Sequence, residues 1–272
     1  MTPTTEDMAT FRRFHRLGTL FVLPNAWDYT SAAALAAAGF AAVATTSLGV
    51  AAAAGKADAA GATRQETLAL ARVIARLACL VSVDAEGGFS VQPEEVADFA
   101  AEVFEAGVVG VNFEDGRADG SLWPVEHLCR MVATVKARVP GMFVNARTDT
   151  YWLAGKRTPS LPETLARVKA YAAAGADGVF VPGVAEDASI AAIVDAVDVP
   201  LNVLCMPGRH TLGRLAELGV RRVSLGSLLF RVALGAAVAA AVAVRDGQSV
   251  ELTGVPSYAS VEALLPVSPA EA

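Results

Sequence analysis

LVSVDAE at residues 80–86, VGVNFED at 109–115 and FVNARTD at 143–149 repeat one plan, a short apolar run that ends in charge. Asp84 and Glu86 close the first, Glu114 and Asp115 the second, and Arg147 and Asp149 the third. The runs are rich in β-branched residues and bounded by Gly or Pro, as parallel strands buried on both faces are. Charges directly after such strands lie on the C-terminal edge of a sheet, where open α/β sheets and (β/α)8 barrels collect their active sites. The repetition predicts one shared site.

Working outward, short apolar runs alternate with amphipathic Ala/Leu/Val segments. Strands are expected at 20–23, 41–45, 80–84, 108–113, 142–146, 178–181, 201–204 and 222–225. Helices are expected at 29–38, 93–106, 161–174 and 211–218, each stopped by a glycine: Gly39, Gly107, Gly175 and Gly219. Eight β/α units across residues 1–272 fit a single domain of the α/β class, a (β/α)8 TIM barrel, with a doubly wound open sheet as the alternative. The segment from about 228 to 272 is longer than an eighth helix needs. It is expected to be helical, and to pack either on a neighbouring subunit or back on its own barrel.

The bulk numbers narrow the classes. At 54% apolar and 18% charged residues the chain is no disordered protein. Its Ala-rich stretches at 31–46 and 234–244 are too short or too interrupted for membrane spans, and are expected to be buried barrel helices. A net charge of −6 without a dense Lys/Arg stripe argues against a nucleic-acid partner. Cys79, Cys129 and Cys205 have neither CxxC nor Cys/His ligand spacing, so no disulfide framework or zinc site is indicated. No apolar h-region follows the N-terminus, and a reducing cytoplasm is the expected location.

Asp84, Glu86 and Glu114 offer oxygen ligands from two consecutive strand ends, a set suited to a hard divalent cation such as Mg2+ or Mn2+. Asp58, in the glycine-bracketed AGKADAAG after the second strand, could complete the set. The alternative is that these acids are solvated, or paired with Arg147 and Lys56; crowded carboxylates repel, which favours the metal. Arg147 could clamp a substrate carboxylate through two parallel hydrogen bonds, or merely neutralise Asp149 or Glu114. Residues 45–49, TTSLG, offer hydroxyls and amides for an anion nest or oxyanion hole, and equally an ordinary turn. His15, His127 and His210 do not form a hydrolase triad pattern, and no Walker loop or GxGxxG follows a strand.

Assembled in order, these pieces resemble the isocitrate lyase/phosphoenolpyruvate mutase superfamily. The resemblance is carried by LPNAWDYTSAAALAAAGFAAVATTSLGVAAAAGKAD at 23–58, VSVDAEGGFS at 81–90, GVNFEDG at 110–116, VNARTDTYW at 144–152, GADGVFVPGV at 175–184 and PLNVL at 200–204. It implies a (β/α)8 barrel whose C-terminal helix is swapped between subunits of a dimer or dimer of dimers. It further implies that Asp84 touches the metal while Asp58, Glu86 and Glu114 hold its waters. Arg147 then binds the substrate carboxylate, with Thr46, Ser47, Leu48 and Asn202 also in the substrate site. Arg147, Ser47 and Glu114 are the expected catalytic residues.

Two departures bear on the reaction. Superfamily lyases carry a Lys-[Lys/Arg]-Cys-Gly-His loop after the fourth strand, where this chain has EDGRADGSLWP at 114–124; their glutamate after the sixth strand is matched by Val181-Pro182-Gly183. The phosphonate branch uses a loop lysine and an asparagine or threonine that are also missing. What remains is cleavage of a carbon–carbon bond in a small α-oxo (di)carboxylic acid, such as oxaloacetate decarboxylation through a metal-stabilised enolate. The alternatives are a protein that binds an α-oxo acid and has lost catalysis, and phosphonopyruvate-type P–C chemistry.

Overall fold

The computed structural model describes residues 2–265 apart from 17, 19, 154, 156 and 157. Helix α1 (Thr5–Phe14) precedes β1 (Phe21–Leu23), β2 (Asn25–Ala26), α2 (Tyr29–Ala37), β3 (Ala42–Thr45), α3 (Ser47–Ala53), α4 (Arg64–Ile74) and β4 (Leu80–Asp84). Next come α5 (Pro93–Ala106), β5 (Gly110–Glu114), α6 (Val125–Arg138), β6 (Phe143–Arg147), α7 (Leu161–Ala173) and β7 (Gly178–Phe180). The chain continues through α8 (Asp187–Ala196), β8 (Leu201–Leu204), α9 (Leu212–Glu217), β9 (Arg222–Ser224), α10 (Leu228–Arg245) and α11 (Tyr258–Glu262).

All sheet pairings are parallel, in the order β1-β9-β8-β7-β6-β5-β4-β3-β2. The expected first strand at 20–23 is only half of the barrel's first strand. Pro24 interrupts it, so that β1 bonds β9 and β2 bonds β3, and the ring joins through residues 21–26. Proline has no N–H for the ladder, but its carbonyl still accepts from Ala44 at 2.8 Å. The architecture is the expected (β/α)8 type with one strand in two pieces.

The glycine stops fall where the sequence puts them. Gly39, Gly107, Gly175 and Gly219 all have positive φ, between 88° and 115°, which lets each helix turn directly into the next strand. The main core lies between β3–β6 and α2, α4, α5 and α6, and a second packs β7–β9 on α7, α8 and α9. A third, smaller cluster closes the N-terminal end of the barrel. There α1 inserts fully buried Phe11 against Phe143, ring centroids 5.3 Å apart, with Leu23, Ala42 and Ala44 alongside. The Thr4/Asp7 capping box starts that helix.

Two expectations about the Ala-rich stretches are corrected. Residues 31–46 divide into most of α2, a turn and β3 rather than one helix. Residues 234–244 lie in α10, none of whose residues is buried; its mean hydropathy of 1.9 reflects apolar side chains facing outward, including Val232, Leu234, Val238 and Val242. By length and composition α10 could cross a membrane, but a helix apolar on every face is equally suited to burial against protein. The end of the tail, 266–272, lies outside the described residues.

Candidate active site

The three charged strand ends meet. Register sets Asp84 beside Asn112 and Glu114 beside Arg147, so acids and cation share the C-terminal edge of neighbouring strands. Arg147 Nη1 lies 2.6 Å from Glu114 Oε2 and its Nε donates to Asp149 Oδ1 at 2.6 Å. The guanidinium is thus gripped at two nitrogens, and Nη2 has no protein partner among the described residues. Its plane rests near the rings of Phe180 and Trp152, 5.7 and 5.9 Å from their centroids.

Each acid has a different setting. The Asp84 amide donates to Thr45 Oγ1 at 2.8 Å, while its carboxylate accepts a long 3.4 Å contact from the Ser47 amide, with the Ser47 hydroxyl also beside it. Glu86 has a φ of +49°, a left-handed strain held by bonds from Gly61 N at 2.9 Å and Thr63 Oγ1 at 2.7 Å to its carboxylate. Its carbonyl accepts the Glu114 amide at 2.9 Å, coupling the two loops. Asp115 is fully buried and structural: Tyr171 OH donates to it at 2.6 Å, Arg167 at 3.0 Å and the Asp149 amide at 2.9 Å. Gly116 passes so close to Asp149 that a Cβ would fall 2.2 Å from its Oδ2.

Two cavities divide the expected residues. A central one of about 110 Å3 is bounded by Thr46, Ser47, Leu48, Asp58, Asp84 and Arg147. A side cavity of about 490 Å3 is bounded by Glu86 and Glu114 together with the hairpin after β5. That hairpin is short and pinned: Gly116 bridges Leu122, and Arg117 stacks 4.4 Å over the Trp123 ring. Asn202 lies below the central cavity, its amide bonded to the Ser224 hydroxyl at 3.0 Å. His210 pairs with Asp187 at 3.2 Å and His127 stacks on Trp123, so neither joins a triad.

Burial dominates the electrostatics. It pushes the carboxyls of Asp84, Asp149 and, most strongly, Glu114 above the ordinary range, while Arg147 pulls them back. The Asp58 charge adds to the upward push on Asp84, Glu86 and Glu114. Burial works against the Arg147 charge, but Asp149, Glu114 and Asp84 outweigh it and raise its pKa. The arrangement can therefore hold an anion against Arg147 and offer carboxylate oxygens to a cation. Among the described residues no three His, Cys, Asp or Glu side chains form a ready-made metal cluster.

Sequence reading missed several walls of the central cavity: Asn25, Asn112, Ser224, Trp152 and Arg231. Asn25 ties the ring shut, donating to Thr45 O at 2.7 Å and accepting from the amides of Leu225 and Gly226 at 2.9 and 2.8 Å. The signal for Asn112 and Asn145 was present, as polar residues inside otherwise apolar strands.

A parallel barrel with its charges gathered at the strands' C-terminal ends, around a cavity sized for a small acid, defines an α/β-barrel enzyme. The chain belongs to the phosphoenolpyruvate phosphomutase family, whose model matches residues 11–245, and so to the superfamily of lyases and mutases that its motifs resemble. It is 44% identical over 255 residues to an uncharacterized protein of Mycobacterium tuberculosis strain H37Rv, covering 94% of this chain and 95% of that one. A Corynebacterium glutamicum protein provisionally described as 2-methylisocitrate lyase 2 is 32% identical over 228 residues, 78% of this chain and 72% of its own. An oxaloacetate decarboxylase of Pseudomonas savastanoi pv. phaseolicola is 33% identical over 171 residues, 58% of this chain and 57% of its own. Among solved structures, a Burkholderia cenocepacia J2315 protein provisionally described as a lyase/mutase superposes with a TM-score of 0.86 at 34% identity, covering 97% of this chain and 96% of that one.

Proposed function

We propose that this enzyme breaks a carbon–carbon bond in a small α-oxo carboxylic acid, with decarboxylation of oxaloacetate as the leading reaction and a divalent cation, Mg2+ or Mn2+, as cofactor. One observation carries the reading: the unengaged corner of Arg147 and the lightly bonded carboxylate of Asp84 open on the same cavity of about 110 Å3. Similarity to an oxaloacetate decarboxylase supports the choice of substrate.

In this reading Asp84 holds the cation directly, and Asp58, Glu86 and Glu114 hold its waters. The donor set fits: the groups that would face the cation and its waters are all hard carboxylate oxygens, and burial, with the acids' mutual repulsion adding to it, disfavours their charged forms, which a cation would relieve. When bound, the ion would draw electrons from the substrate's keto group. Arg147 keeps the carboxylate that stays, with the buried Phe180 ring screening that side from water. Thr46, Ser47 and Leu48 line the opposite wall, where the Ser47 and Leu48 amides serve the developing oxyanion. The bond to the departing carboxylate breaks, CO2 leaves, its electrons form an enolate, and carbon takes a proton from water to give pyruvate. Asn202 supports this site through the Ser224 hydroxyl that it bonds.

P–C chemistry would need a cation for the phosphoryl group, and Arg117 on the hairpin is instead stacked on Trp123. Purified protein given Mg2+ and a panel of 2-oxo acids should release CO2 and pyruvate from oxaloacetate. Magnesium-dependent oxalate binding without turnover of any acid would leave a binding protein and sink the lyase reading. Phosphate release from phosphonopyruvate would move it to the phosphonate branch.

We also infer that residues 1–272 make one barrel domain, with the segment from 228 on exchanged between subunits of a dimer or dimer of dimers. Support comes from α10, an apolar helix of 18 residues without one buried side chain, which touches its own barrel chiefly where Phe230 meets Trp27, ring centroids 5.5 Å apart. Light scattering should give a dimer or tetramer; a monomer at micromolar concentration would overturn it.

A further inference from the structure

Beneath the central cavity lies a layer of buried polar side chains that the reading above does not use. Asn112, Asn145 and Arg222 point into the barrel from β5, β6 and β9 and meet there. We propose that Asn112 is a ligand-contacting residue, donating a hydrogen bond from Nδ2 to an oxygen of the bound acid, and that Arg222 is the positioning residue that aims it. The inference rests on the oxo-acid reading of this same site.

The geometry fixes the amide's orientation. Asn112 Oδ1 accepts from Asn145 Nδ2 at 2.9 Å and from Arg222 Nη2 at 3.3 Å. An asparagine's oxygen and nitrogen can be told apart only by their neighbours, and a guanidinium offers donors alone. Whatever Asn112 turns toward Arg222 must be its oxygen. Its NH2 group is then committed to the other side.

That side is the cavity. Asn112 is 4% exposed and is part of the central cavity's wall. Its Nδ2 has no hydrogen-bond partner among the described residues, yet it is not among the sealed orphans, which are His15 Nε2, Glu66 Oε2, Ser82 Oγ, Thr148 Oγ1 and Arg222 Nη1. A free donor that is not sealed in, on a residue that walls the cavity, opens on that cavity. Strand alternation agrees, since Asn112 and Glu114 are two apart on β5 and share a face.

Arg222 is costly to bury and has no carboxylate in contact among the described residues. It is 1% exposed, its Nε reaches Ser224 Oγ at 3.4 Å, and burial pulls its pKa down to about 9, which leaves it a cation at neutral pH. A buried charge held by a serine and an asparagine is poor as a stabilising pair. It makes sense as a fixed positive potential under an anion, which also holds the Asn112 amide in one orientation. An acid in the cavity would then meet Arg147 Nη2 at its side and Asn112 Nδ2 at its floor, so the atom facing β5 must be an acceptor oxygen.

The test uses the full chain, saturating Mg2+ and oxalate as the probe. Asn112→Asp keeps the oxygen that Arg222 needs but replaces the donor with a second acceptor. Calorimetry should show at least about 30-fold weaker oxalate binding in Asn112→Asp, and about 10-fold in both Asn112→Ala and Arg222→Gln, with Arg222→Lys in between. In the wild type the Asn112 side-chain amide NMR signals should shift as oxalate is added; in Arg222→Gln that shift should shrink, a readout that a merely structural arginine would not move. Folded Asn112→Asp that binds oxalate as tightly as wild type, or Asn112 amide signals indifferent to oxalate, overturns the proposal alone. Wild-type protein that binds no oxalate overturns it together with the oxo-acid reading.

Discussion

The two ends of the barrel are closed by opposite chemistries. At the C-terminal mouth the Arg147 guanidinium is packed against Glu114 and Asp149 with Asp84 nearby, whereas at the N-terminal end Phe11, Phe143, Phe21 and His15 pack ring against ring. The mouth ends in ions that a charged ligand can complete. The far end is instead plugged by the aromatic rings that α1 brings to it.

Removing the ionic hub should separate the ends most strongly. Arg147→Ala is expected to lower kcat/KM for the 2-oxo acid by about 10²–10³, and to destabilise the fold by about 3–5 kcal/mol by leaving Glu114 and Asp149 uncompensated. Steady-state rates with denaturant melts measure both; retained activity would undo the division. Phe11→Ala is the mirror experiment. It should cost about 3–5 kcal/mol by urea unfolding while leaving kcat nearly unchanged at low temperature.

His15 sharpens the contrast through pH. Burial lowers its pKa from 6.5 to about 3, so the folded protein holds it neutral. Above pH 6.5 it is uncharged in both states and its packing contributes fully; between 6.5 and about 3 the unfolded chain takes the proton first, and stability falls by up to about 1.4 kcal/mol per pH unit. Urea melts at pH 7, 6 and 5 should show His15→Phe losing that part of the slope. An unchanged slope would show that His15 is not the source of the acid sensitivity. The smallest effect belongs to Arg117→Ala on the hairpin, expected to change kcat/KM less than about threefold and stability by about 0.5–1 kcal/mol, the scale of an exposed cation–π contact. A hundredfold loss would bring the side cavity into the chemistry.

Much of this was legible because it is local. Charges after apolar runs place Asp84, Glu114 and Arg147 on one edge, and glycine stops mark where helices give way to strands. The polar floor was not legible, since Asn112 and Arg222 lie 110 positions apart and meet only because β9 returns across the ring. Two-residue β2 is too short to show a period, so the first strand read as half its length. The α1 plug escaped because nothing in its own sequence says that Phe11 enters a barrel. The exposure of α10 was likewise not legible, since an apolar helix reads as a buried one from its own pattern.

The interrupted first strand has a consequence in time. Its two halves are the seam of the ring, and their partners are β3, made almost at once, and β9, made about 200 residues later, where Asn25 meets the amides of Leu225 and Gly226. During synthesis β2 can join the growing sheet early, while β1 remains an open edge until β9 emerges. Barrel closure is therefore a late, long-range event. A chain halted before residue 222 would carry two exposed sheet edges, primed to pair with one another's copies rather than to fold.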